Sequence, residues 1–198
     1  MRIGLCGAHR TGKSTLAKLF SEVNDVPMIA SSVSAIALRY DFHMDNDRRD
    51  VPSFREMQDT ILTTLENSFR GQSDFISDRT PLDAAAYLLA DMQANTGSPV
   101  FQEGVLRYID RAVALTNELF DAVILLPPAI AFEPMDGKPG GNLAYQEHHH
   151  LLVRGLVGEL TIPSGELERD NLKLDDRLDA VIEFLDRVDD ARNHSKGV

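Results

Sequence analysis

Gly7-Ala8-His9-Arg10-Thr11-Gly12-Lys13-Ser14 carries two glycines, a lysine and a hydroxyl at the spacing of a phosphate-binding loop. Ile3, Leu5 and Cys6 form a short apolar run before it, and Leu16, Leu19 and Phe20 share one helical face after it. The loop therefore joins a strand to a helix, where the chemistry needs it. Glycines let the backbone wrap closely, so that successive amides aim at phosphate oxygens, and the helix start adds a favourable dipole. In that arrangement Lys13 reaches the β- and γ-phosphates, Ser14 sets its hydroxyl on Mg2+, and Thr15 is available to the α-phosphate. The backbone of Gly7, Thr11 and Gly12 supplies the cradle. His9 and Arg10 line its outer curve, with His9 read as a loop residue and not as a catalyst.

A magnesium nucleotide site also needs a carboxylate near the γ-phosphate, and Asp78 follows the apolar run Phe75-Ile76 at a strand end. Its follower is Arg79, a cation suited to a phosphoryl group, where an energy-coupling ATPase commonly places a glutamate to activate water. The pair thus points to phosphoryl transfer over hydrolysis. The plain alternative is a helix cap at Asp78 and a surface ion pair at Arg79. Asp83, three residues after the capping Thr80, is assigned a helix-start role.

Stepping along the chain, Pro27 to Ala30 is a second apolar run and Asp74 to Asp78 a third strand, which hands into a helix at Thr80-Pro81. Ser98-Pro99 starts another helix, and Asp121 to Leu126 is the clearest buried strand. Residues 133 to 146 hold two prolines and three glycines and are read as a flap, within a lid of about 132–150. His148-His149-His150 then reads as a solvated helix start, because three consecutive helical side chains cannot reach one ion. Leu160-Thr161-Ile162 is taken as the fifth strand, before an amphipathic helix carrying Leu178, Val181, Ile182 and Leu185. Alternating strands and helices predict an α/β three-layer sandwich with a parallel sheet, its ligand beyond the strands' carboxyl ends.

The 198 residues suit one domain, 1–198, at the usual ~150 residues per domain. Apolar residues at 43% and charged residues at 26% exclude a disordered or fibrous chain. A net charge of −11 disfavours nucleic acid and anionic lipid as partners, although Arg39, Arg48, Arg49, Arg55 and Arg70 could form a local basic patch. The single cysteine, Cys6, excludes an internal disulfide and fits a cytoplasmic protein, and no stretch has the length of a signal peptide or a membrane span.

The phosphate loop, Asp78-Arg79-Thr80-Pro81-Leu82-Asp83 and the glycine flap together resemble the P-loop nucleoside and nucleotide kinases. The nearest likeness is to the branch of ribosylnicotinamide kinase and small bacteriophage-encoded kinases, and it spans nearly the whole chain. This resemblance implies a five-stranded parallel sheet in the order 2-3-1-4-5 with helices on both faces and a lid closing over the phosphates. It implies ATP and Mg2+ as cofactors and a small nucleoside or nucleoside monophosphate-like acceptor. Lys13, Asp78 and Arg79 become the catalytic group, with Asp78 as acceptor-side base or, with Ser14, magnesium organiser, and Arg79 as phosphate clamp. Pro163-Ser164-Gly165 becomes part of the base-binding loop, so that Pro163 and Gly165 join the nucleotide site. Acceptor-side candidates are Ser32 and Tyr40 after the second strand, Lys138 in the flap and Arg154 in the following helix. A homodimer in the host cytoplasm, if phage-encoded, is compatible with the same likeness. Two other functions stay open: a kinase of a hydroxymethylated base in phage DNA, and a regulatory ATPase that transfers nothing.

Overall fold

The structure is a computed structural model that describes residues 1–30, 36, 52–90, 98–130 and 142–196. Its elements run β1 (Arg2–Cys6), α1 (Lys13–Asn24), β2 (Met28–Ile29), α2 (Pro52–Phe69), β3 (Phe75–Ser77) and α3 (Pro81–Ala90). They continue with α4 (Pro99–Leu119), β4 (Ala122–Leu125), α5 (Leu143–Val157), β5 (Ser164–Glu166) and α6 (Leu174–Lys196). The strands form one parallel sheet in the order β2-β3-β1-β4-β5, as the resemblance to P-loop kinases implied.

Both faces of that sheet are covered, which is why its central strands read as continuous apolar runs and not as alternating ones. Ile3, Leu5, Ile76, Ala122 and Ile124 face α1 and α6 together with Leu16, Phe20, Leu178 and Val181. Cys6, Phe75, Val123 and Leu125 face the opposite way, into a core built with Leu62, Leu65, Leu82, Leu115 and Val153. Phe69, Phe75 and Phe120 pack there with ring centroids 4.9 to 5.6 Å apart. Offset and edge-on contacts of this kind add to the area they bury. Burial, and Asp83 nearby, push the Cys6 thiol up, so it packs as an inert group.

Local signals explain the helix starts. Ser98 Oγ accepts from the Phe101 amide at 3.3 Å, with Pro99 in the first turn of α4. Asn142 Oδ1 does the same for the Tyr145 amide at 2.7 Å and starts α5 inside the expected lid. Residues 143–150 of that lid are therefore helical, while 132–141 lie outside the described residues. The histidine triplet is also corrected. His149 and His150 are fully buried within α5, and only His148 is exposed.

The fifth strand moves from 160–162 to Ser164–Glu166. Leu160 and Ile162 are apolar because they pack against the core from a loop, and the Thr161 and Ile162 amides are taken by Asn117 Oδ1 at 2.9 and 3.4 Å. The true strand is a short polar edge, a form that carries no apolar run to read.

Candidate active site

The phosphate loop and the Asp78-Arg79 pair sit at the carboxyl ends of β1 and β3. The loop leaves β1 through Gly7, whose φ of 138° is a glycine conformation and whose missing Cβ would lie 2.4 Å from the Leu126 carbonyl oxygen. Gly12, at φ 83°, turns the chain into α1. No side chain caps that helix, so the first-turn amides keep their donors for an anion. Thr11 is buried and its Oγ1 donates to the Ala8 carbonyl at 3.0 Å, closing the loop on itself.

Lys13 is buried, and its ammonium donates to the carbonyls of Gly7 and Ala8, both at 2.7 Å. The lysine thus lies across its own loop. Burial pushes it down to about 8, against the opposing pull of Asp83. Ser14 follows on the exposed side, and its hydroxyl donates to Asp78 Oδ2 at 2.5 Å. These two oxygens, placed side by side by α1 and by the end of β3, are hard donors of the kind Mg2+ accepts. An ion held by these two oxygens would take its remaining ligands from phosphate and water. Thr15 is exposed beside Ser14, and Arg10 stands half-buried at φ 60° on the outer curve.

Arg79 is half-buried with its guanidinium carbon 5.3 Å from the ring centre of Tyr87. Burial works against its charge, but Tyr87, Asp83 and Asp78 together outweigh that and raise its pKa. Asp83 has the expected helix-start role, with Oδ2 accepting from the Thr80 amide at 2.8 Å and the Thr80 hydroxyl at 3.1 Å. It also has one that spacing did not foretell: Oδ1 accepts from the Gly7 amide at 3.0 Å. A fully buried carboxylate thus ties the Asp78-Arg79 segment to the first turn of the phosphate loop.

The start of α5 packs against the phosphate loop. Gln146 Nε2 donates to the His9 carbonyl at 2.8 Å, and Tyr145 lies tilted against the His9 ring at 5.9 Å. His149 packs 4.1 Å from the Tyr87 ring, and neither ring nitrogen has a hydrogen-bond partner among the described residues. Burial first, then Lys13 and Arg79, push His149 down to about 3. His9 is lowered in the same sense by burial and by Lys13, Arg10 and Arg79. Both imidazoles are thus held in the neutral form beside the cations of the site.

Six expected residues fall elsewhere or out of view. Pro163 precedes β5 and its carbonyl accepts from the Val123 amide, and Gly165 lies inside β5 against the Phe184 ring. Gly165 is thus in a strand and Pro163 just ahead of it, where a loop was expected; the segment that leaves the carboxyl end of β5 is 167–173. Arg154 pairs with Glu166 at 2.9 Å on the β5 edge, across the sheet from the second strand where an acceptor was expected. Ser32, Tyr40 and Lys138 lie outside the described residues, as do Arg39, Arg48 and Arg49.

No family model matches the chain, and no curated protein matches it significantly in sequence. Solved structures do. Deoxyadenosine kinase from M. mycoides with bound dCTP superimposes with a TM-score of 0.70 at 17% identity, over 94% of this chain and 100% of that one. The same enzyme with dCMP and a flexible dCDP gives 0.68 at 16% identity, over 95% and 100%. The YorR protein of Bacillus subtilis, in complex with phosphorylated GDP, gives 0.52 at 14% identity, over 93% and 95%. The likeness is one of fold: the five-stranded sheet and the helices around it match the P-loop kinase fold of these neighbours.

Proposed function

We propose that this chain is an ATP- and Mg2+-dependent phosphotransferase whose acceptor is a nucleoside or nucleoside monophosphate. The observation that carries the reading is the juxtaposition of Ser14 with Asp78 at 2.5 Å, beside a phosphate loop spanned by a buried lysine. Such a set is complementary to a polyphosphate and its metal, and Arg79 after Asp78 favours transfer over hydrolysis. The nucleotides held by the M. mycoides neighbour support the acceptor class.

In the reaction, an acceptor oxygen, of a nucleoside hydroxyl or of the phosphate of a nucleoside monophosphate, bonds to the γ-phosphorus as the bond from that phosphorus to the β–γ bridging oxygen breaks, leaving ADP. Mg2+, when bound, would neutralise charge on the β- and γ-oxygens from the side of Ser14 and Asp78. Lys13 exchanges the Gly7 and Ala8 carbonyls for phosphate oxygens, so its charge is already aimed before substrate arrives. Arg79, braced on Tyr87, meets the transferred group, and Asp78 is the carboxylate placed to receive the hydroxyl proton or to steady the ion.

Labelled γ-phosphate from ATP should appear in one pool among nucleosides, nucleoside monophosphates, nicotinamide riboside and oligonucleotides with hydroxymethylated bases. Label in the small-molecule pools supports the proposal, and label in the oligonucleotides moves the substrate to DNA. Release only as free phosphate would mean a nucleotide-hydrolysing switch.

A further inference from the structure

Arg177 is among the largest fully buried side chains of the protein, at 1% exposure. It stands in the first turn of α6, and its Nη1 donates to the carbonyl of Thr11, 166 residues away in sequence, at 3.0 Å. Nε and Nη2 have no hydrogen-bond partner among the described residues. No described carboxylate offsets the charge: burial alone acts on the guanidinium and lowers its pKa. A buried cation of this kind is costly, and the folded protein keeps it against the back of the phosphate loop. The approach is close: a Cβ on Gly12 would sit 3.0 Å from Nη1 and 2.9 Å from Cδ1 of Ile130, and the φ of 83° there favours glycine in any case.

We propose that Arg177 is a positioning residue of the phosphate loop, orienting the Thr11–Gly12 peptide for a polyphosphate ligand and setting behind it a positive charge that this ligand compensates. The inference rests on the polyphosphate reading given above. Its geometry is elementary. In a planar trans peptide the carbonyl and the amide point in opposite directions. Drawing the Thr11 carbonyl towards Arg177 therefore turns the Gly12 amide away from it, free for an anion. The left-handed φ at Gly12 holds that orientation at the first residue of the helix start. In a low-dielectric setting the buried guanidinium also acts on a bound phosphate with little screening by water.

The sign of two effects separates this role from simple packing. Replacing Arg177 by methionine removes an uncompensated charge at similar volume, so Arg177→Met should leave the melting temperature of the ligand-free protein unchanged or higher. Its Kd for Mg·ATP and for inorganic pyrophosphate, by calorimetry, should weaken at least tenfold, while Arg177→Lys stays within threefold of wild type. An unchanged Kd in Arg177→Met overturns the proposal whatever its melting temperature. If affinity and melting temperature both fall, Arg177→Lys decides: recovery of affinity alone supports the role, and no recovery overturns it. Should Arg177→Met not fold, the side-chain Nε–H resonance of Arg177 in the wild type decides. It should shift as pyrophosphate saturates the loop, and a resonance that stays put overturns the proposal. A wild type that binds neither ligand fails the functional reading itself, a different result from any of these.

Discussion

The Gly7 amide donates to Asp83 Oδ1 at 3.0 Å across 76 residues of sequence. One carboxylate thereby holds the start of the phosphate loop with one oxygen and the start of α3 with the other. The segment between β3 and α3, with Asp78 and Arg79, cannot shift against the loop without breaking a buried bond. That tether fixes the spacing of the two halves of the site, and Ser14 and Asp78 meet because of it.

Asp83→Asn keeps one acceptor oxygen and presents an NH2 where the other stood, so a buried donor loses its partner. The expected cost is about 2 kcal/mol of stability, read from urea unfolding, with turnover falling as the loop loosens. A variant as stable and as active as wild type would remove the tether from the account.

Lys13 gives a pH signature. Its folded value of about 8 lies below the ordinary lysine value, so between these two pH values the unfolded chain binds more protons than the folded one. Stability of the ligand-free protein should therefore rise as pH climbs from about 8 to about 10.4, a gain on the order of 2–3 kcal/mol that Lys13→Met lacks. ATP affinity should move the opposite way, weakening above pH 8 as the lysine loses its proton. Parallel stability profiles for the two proteins would contradict the assignment.

His149 carries the reverse case at acid pH. Its value is pushed down to about 3 while the unfolded imidazole titrates at about 6.5, so stability drains away as pH falls through that window. His149→Phe preserves the ring against Tyr87 and gives up no hydrogen bond, and should be more stable than wild type at pH 4 by about 3 kcal/mol. Imidazole chemical shifts give a direct check: a His149 ring protonated at pH 5 in the folded protein would refute it.

On the proposed role of its carboxylate at the reacting groups, Asp78→Asn should lower kcat by roughly a hundredfold or more and leave the Kd for ATP within threefold. Ser14→Ala should instead raise the magnesium concentration needed for half-maximal rate. Equal losses of ATP affinity and of turnover in Asp78→Asn would make it a binding residue only.

The parallel sheet and the meeting of the phosphate loop with Asp78 and Arg79 follow from signals that spacing carries: glycines at fixed offsets, apolar runs and a proline at a helix start; the strand order comes from the resemblance to P-loop kinases. β5 does not, because Ser164-Gly165-Glu166 is a polar edge while the apolar Leu160 and Ile162 serve the core from a loop. The buried histidines were misread because the glycine content of the flap masks Asn142, a readable N-cap that starts α5 earlier. Arg177 left a trace as well. It falls on the helical stripe of Val181, Leu185 and Val188, where an arginine on an apolar face needs a reason. The second role of Asp83 left none, since a contact with Gly7 depends on how β1 and β3 pair.

The most direct test of the central claim is single-turnover transfer of labelled γ-phosphate from Mg·ATP to nucleosides and nucleoside monophosphates, run on wild type and on Lys13→Ala. The account predicts a labelled nucleotide product with wild type and none with the folded variant. Equal labelling by both proteins, or ATP consumed by wild type with all label as free phosphate, would contradict it.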